Sequence, residues 1–276
     1  MADKFDIRLL DQSLFDYSKR VTVFSLIIRI LSYFVGIVVL LFALPFQPLP
    51  FLIAFLSILA ELIQWHSDHV KRVAESLLRK LEYHDGYGWP ISKSEISDIL
   101  VRSPGHIRDS ISYRNPEFQY FGSEEIKGTR RMLENLVESA WWSKHLAETA
   151  GHLFLAITVL AIFASITILI ISIETVQNFS FLMSVSRIVT STILLLFSLQ
   201  LVRHTVEYYN FSGKAEQSEI KANHLLESQE IDKEQSIKIL IEYQFSRNGA
   251  PLIPTFIWKA RRATLNDLWN TYQITK

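Results

Sequence analysis

Four blocks of this chain, residues 21–46, 49–65, 151–173 and 179–202, are long, apolar and nearly free of charge. Their only ionised side chains are Arg29, Glu61 and Arg187. A bilayer's hydrocarbon core takes a helix of about 20 apolar residues, so runs of this kind read as membrane spans. Inside lipid each backbone N–H and C=O must be satisfied within the segment, which makes every block a helix. Pro45, Pro48 and Pro50 force a tight turn between the first two blocks, because proline cannot continue a helix. A short stretch, 174–180, joins the last two. The blocks therefore pair as two hairpins.

Basic residues mark the cytoplasmic side of a span. Lys4, Arg8, Lys19 and Arg20 precede the first block, and Lys71, Arg72, Arg79 and Lys80 follow the second. Lys144 precedes the third and Arg203 follows the fourth, while neither short connection carries Lys or Arg. The expected topology has both termini in the cytoplasm. The opening twenty residues are amphipathic and include acids, unlike a cleavable signal peptide.

Charges inside a bilayer are costly and are functional suspects. Arg29 and Glu61 fall at similar depths near the cytoplasmic face, placed either to pair across spans one and two or to reach the interface separately. Arg187 lies about two turns from the outer face, where it would line a pore or extend outward toward Glu174.

Helical spacing continues beyond the membrane. Val70, Val73, Leu77, Leu78 and Leu81 extend the second span to about Tyr83, where DGYGWP (residues 85–90) breaks it. Ser92 followed by Glu95 is a capping box that opens a short helix reaching about Arg102. From about Ser123 the positions of Ile126, Met132, Leu133, Leu136, Val137 and Ala140 predict one unbroken helix through the third span, roughly 75 Å long at ~1.5 Å per residue. The fourth span continues the same way through Val206, Tyr209, Ile220, Leu225 and Leu226, with Gly213 as a kink point. A further short helix is predicted over about Lys233 to Phe245. The expected fold is an all-α membrane protein: four transmembrane helices in two hairpins, with long helices extending into a cytoplasmic bundle. Its divisions are 1–65, the N-terminal segment and first hairpin; 66–150, a cytoplasmic helical insert; 151–202, the second hairpin; and 203–276, the C-terminal cytoplasmic helices.

The chemistry the sequence excludes is broad. Net charge is +0, which gives no global electrostatic case for binding DNA. There is no cysteine, hence no thiol catalysis or thiolate metal site. His66, Asp68 and His69 in WHSDH, with His84 or Asp85, resemble a metal set only loosely, and interfacial polar residues explain them better. No P-loop, dinucleotide fingerprint, nucleophile elbow or kinase signature is present, so neither an enzymatic activity nor a cofactor is expected.

Aromatic and basic residues do gather in the cytoplasmic parts. Trp141 and Trp142 stand beside Lys144 and His145. The stretch APLIPTFIWKARR (residues 250–262) combines two prolines, Trp258, Lys259, Arg261 and Arg262, and Arg130 and Arg131 add a further basic pair. Rings that stack on bases and cations that bind phosphate would suit an anionic aromatic ligand. The structural reading is as plain: tryptophans at a membrane belt, prolines at a helix start, and a Trp258–Arg262 stack one turn apart.

The closing stretch, through Pro251, Pro254, Trp258, Lys259 and Arg262, resembles the end of the SMODS-associated four-transmembrane effector family, and the two-hairpin layout with a helical insert is similar to that family's. Residues 73–92, VAESLLRKLEYHDGYGWPIS, depart from its pattern, which places this chain as a divergent member or in a neighbouring defence-associated family. The resemblance implies a role in bacterial antiphage (CBASS-type) defence at the inner membrane. Such an effector responds to a cyclic oligonucleotide from a partner synthase, assembles with copies of itself and compromises the bilayer. No catalytic residue is implied. Two other readings stand beside it: an ion channel or transporter subunit, motivated by Arg29, Glu61 and Arg187, and a scaffold that docks a partner protein on the Val73, Leu77, Leu81 stripe.

Overall fold

A computed structural model describes residues 7–42, 48–110, 121–175 and 199–274, with scattered positions between 183 and 195. The chain is all-α over these residues. Its helices are α1 (Ile7–Phe42), α2 (Leu49–Tyr87), α3 (Lys93–Arg102), α4 (Gly105–Ser110), α5 (Thr129–Thr175), α6 (Leu201–Leu226), α7 (Lys233–Gly249) and α8 (Thr255–Ile274). The described positions between 183 and 195 are helical as well.

Two compact units emerge. One comprises Met1–Lys19, Asp68–Ala150 and Glu207–Lys276; the other comprises Arg20–Ser67 and Gly151–Val206. Helices α1, α2, α5 and α6 supply residues to both.

The first unit has a conventional apolar core. Leu10 and Leu14 of α1 pack with Val70, Val73, Ala74, Leu77 and Leu81 of α2, closed off by Ile99 of α3 and Ile107 of α4. Leu133, Leu136 and Val137 of α5, Tyr208 and Phe211 of α6, Leu240 and Tyr243 of α7 and Leu265 of α8 are buried too. The Val73, Leu77, Leu81 stripe is thus consumed inside the core, and the docking face that the scaffold reading relied on is not available.

Local signals explain most boundaries. The capping box forms as its spacing requires: the Ser92 hydroxyl accepts from the Glu95 N–H and the Glu95 carboxylate accepts from the Ser92 N–H at 2.9 Å. Helix α2 passes through Gly86 and stops at Tyr87, where Gly88 takes φ +77, a conformation that costs glycine little. Helix α5 begins at Thr129 rather than near Ser123, because its own acids hold the preceding segment in a turn. Glu138 accepts from the Gly122 N–H at 2.9 Å, Glu134 from the Ser123 hydroxyl at 2.6 Å, and the Gly128 N–H donates to the Gly86 carbonyl at 2.8 Å. The continuous helix expected from the fourth block onward is also interrupted. Residues 199 and 200 form a turn, with Gln200 at φ +52, and α6 starts only at Leu201.

The second unit has the opposite solvent logic. Phe24, Ile27, Leu31 and Phe34 of α1, Phe51, Phe55, Ile58 and Leu62 of α2, and Leu160 and Phe163 of α5 are all exposed. Faces this apolar require lipid or another apolar surface against them. Among the described residues, three helical stretches are long and apolar enough to cross a membrane: Ile7–Val38, Phe51–Tyr87 and Thr129–Ile168. Eleven of the 24 residues of the fourth block, Arg187 among them, lie outside the described residues. Small polar side chains bind α1 to α2 in this unit: Thr22 and Ser67 hydroxyls lie 2.7 Å apart, and Ser25 donates to the Ala60 carbonyl at 2.8 Å. Serine and threonine serve this way between helices in lipid because they permit close approach and satisfy each other. Arg29 Nη2 lies 2.9 Å from Glu61 Oε1, with the arginine side chain 8% exposed and the carboxylate 65%.

Candidate functional site

The proline-spaced turn after α7 is organised by its carbonyls. Prolines 251 and 254 lack an N–H, so the segment offers acceptors more readily than donors. Lys71 Nζ donates to the Asn248 carbonyl at 2.9 Å and to that of Ala250, and the Tyr208 hydroxyl donates to the Leu252 carbonyl at 2.8 Å. Helix α8 then starts behind Pro254, whose carbonyl receives the Ile257 N–H at 3.0 Å. Burial raises the Tyr208 phenol above its ordinary range, so it is a neutral donor at every physiological pH. Replacing Tyr208 by Phe should cost about 1 kcal/mol, the typical net worth of such a bond. A melting temperature unchanged in detergent solution would show that the turn stands without that tether.

Helix α8 carries the aromatic-basic cluster expected from its sequence. The Arg262 guanidinium lies 4.8 Å from the centroid of the Trp258 ring, one turn away. Lys259 is exposed, and the Nε of Arg261 is buried without a hydrogen-bond partner among the described residues. Trp141 is not a stacking platform. It is 5% exposed and packs on Trp142 at 5.6 Å, His145 at 4.6 Å and Trp269 at 5.1 Å. Lys144, expected beside it as a phosphate-binding cation, instead pairs with Glu219 at 2.8 Å. Arg130 meets Glu125 at 3.3 Å and Glu134 at 3.4 Å, and Arg131 donates to the Glu125 carbonyl at 2.7 Å. The structure therefore unites Trp258 with Arg262 and Trp141 with Trp142, while Arg130 and Arg131 are engaged at the start of α5. Among the described residues no group of three or more His, Cys, Asp or Glu side chains is placed to hold a metal ion.

Two arrangements were missed in the sequence. The first is a buried ion network. Arg247 of α7 reaches Glu75 at 3.1 Å and Glu82 at 2.5 Å, and the Gln244 amide donates to Glu82 at 2.8 Å. Burial alone would lower the Arg247 pKa, but Glu82 and Glu75 outweigh it and hold it well above the ordinary range. The signal was present as two acids seven residues apart on the apolar face of α2.

The second is a groove lined by α2, the 88–92 turn, α3 and α7, with a volume of about 430 Å³. Its walls include Arg79, Lys80, Tyr83, Trp89, Ile241 and Phe245. The Gly88 turn folds Trp89 back along α2, where its ring stacks on Tyr83 at 5.1 Å and 8° and on Tyr87 at 5.2 Å and 25°. Lys233 Nζ lies 5.8 Å from the Trp89 ring centroid. Lys80 pairs with Glu95, whose carboxyl is pushed down to about 2 by its hydrogen bonds from Lys80 and Ser92. Among the described residues Arg79 has no carboxylate partner, its Nε donating to the Glu75 carbonyl at 3.3 Å.

No family model, curated protein or solved structure matches this chain.

Proposed function

We propose that this chain is a multi-pass effector of bacterial antiphage defence that senses a cyclic oligonucleotide, self-associates and permeabilises the inner membrane. Four spans in two hairpins, with both termini cytoplasmic, are the topology that the basic-residue distribution supports. The observation that carries the reading is a division of labour. One unit has outward faces suited to lipid, and the other is a water-compatible core with a charged, aromatic groove. Helices α1, α2, α5 and α6 supply residues to both, so sensing and membrane action need no separate linker. Self-association follows from span number, because four helices alone enclose no useful channel.

The test is membrane potential. Bacteria expressing the chain with synthases that each make a different cyclic di- or trinucleotide are read with a voltage-sensitive dye. Depolarisation with one nucleotide and not the others is the expected outcome. Intact potential with all of them, in cells whose membranes contain the protein, sinks the reading.

A further inference from the structure

We propose that the groove between α2, the 88–92 turn and α7 binds one nucleotide unit, with its base against Trp89 and its phosphate on Arg79. The inference rests on the nucleotide-sensing reading and gives it a location other than the aromatic-basic segment of α8.

Three independent features point there. The first is size: about 430 Å³ falls within the ~300–1,000 Å³ of small-ligand pockets. The second is the ring surface. Trp89 is 43% exposed although two tyrosines hold it from within the unit, so its plane is fixed before any ligand arrives. A rigid ring loses little entropy when a base stacks on it. Ile241 and Phe245, both exposed, extend the apolar wall.

The third is charge. Arg79 and Lys80 line the groove, and Lys233 Nζ lies over the Trp89 ring at 5.8 Å from its centroid. The one carboxylate in the lining, Glu95, is neutralised by Lys80 and held further by the Ser92 N–H and hydroxyl. Glu82 and Glu75 nearby are spent on Arg247. The balance left over is positive and centred on Arg79, whose planar guanidinium suits a phosphate. The α8 segment offers less: Arg262 lies 4.8 Å from the Trp258 ring centroid, nearer than Lys233 to Trp89 at 5.8 Å, and Trp141 is enclosed.

The experiment is equilibrium dialysis of the full chain in lipid nanodiscs against radiolabelled cyclic di-AMP, cyclic di-GMP and cyclic tri-AMP. One of them is expected to bind. Trp89→Ala and Arg79→Gln should each weaken it about tenfold or more, and Trp89→Phe should retain most of the affinity. Vesicles of phosphatidylglycerol, which carry phosphate but no base, should not displace it. Melting curves confirm that each variant is folded; if Trp89→Ala is not, the Arg79→Gln and Trp89→Phe pair decides. Unchanged binding in the groove variants, with loss in Trp258→Ala or Arg262→Gln, overturns the groove while sparing the sensing reading. Displacement by phosphatidylglycerol equal to that by unlabelled nucleotide also overturns it, because the ring would then not be read. If no nucleotide binds the wild-type chain, the sensing reading falls and the groove assignment falls with it.

Discussion

Arg247→Met should destabilise the water-compatible unit by about 3–5 kcal/mol, the cost of leaving buried carboxylates without their counter-charge. Glu75 and Glu82 are 3% and 4% exposed in their side chains, so water cannot replace the lost guanidinium. Asp11, also buried and with Oδ1 lacking a hydrogen-bond partner among the described residues, adds a third acid to the same neighbourhood. Methionine keeps the length and apolar stem of arginine and removes only the charge and donors. On thermal unfolding in detergent the melting temperature should fall on the order of 10 °C. Changing Glu75 and Glu82 to Met as well should recover much of the loss, because removing a whole buried ion set is far less costly than breaking it. A single variant that melts with the wild type would mean that the acids are protonated or hydrated in solution and that the network is not what holds α7 on α2.

The second large effect is at Gly86. An added Cβ there would stand 2.9 Å from Met132 Cβ and 3.0 Å from Met132 Cα. A flexible side chain can swing away, but a Cα cannot move without carrying its helix. Gly86→Ala therefore has two opposed terms. Alanine favours helix by up to about 1 kcal/mol. Forcing α2 from α5, and stretching the bond from the Gly128 N–H to the Gly86 carbonyl, costs about 1–3 kcal/mol as overpacking does elsewhere. The clash should win and the variant should melt lower. Gly213→Ala supplies the contrast. That glycine lies inside α6 with nothing within 4 Å of the new methyl, so the propensity term acts alone and the variant should melt higher. Equal shifts of the same sign in both would refute the close approach of α2 and α5.

The sequence was most informative where local chemistry decides. Ser92 and Glu95 announced their helix because a capping box is complete within four residues. DGYGWP announced the end of α2 because two glycines and a proline carry their own conformational preferences. The Val70 to Leu81 stripe was correctly periodic, but periodicity does not say what lies opposite, and Leu10 and Leu14 were not foreseen as its partners. The turn at Gln200 left no trace, since neither glycine nor proline marks it. Helix α5 starts later than its pattern because Glu134 and Glu138 capture the segment before it, a tertiary effect invisible to spacing. The groove was the hardest to see. Trp89 read as part of a turn, and its neighbours Ile241 and Phe245 arrive from the far end of the chain. Trp141 and Trp142 misled for the converse reason: adjacent aromatics look like a surface for ligands until α8 covers one of them.

The pair of Arg29 with Glu61 has a consequence for biogenesis. A lone charge in a membrane span raises the cost of insertion, by up to about 2.5–3.5 kcal/mol at the centre and by less near the face where these two lie, and each of these helices has one in its apolar stretch. At 2.9 Å the two largely cancel, so α1 and α2 are better substrates for the insertion machinery together than singly. The order of synthesis suits this, since only a short proline-marked connection separates them. Insertion of the two helices together, once the connection and α2 have emerged, would therefore cost less than insertion of either alone.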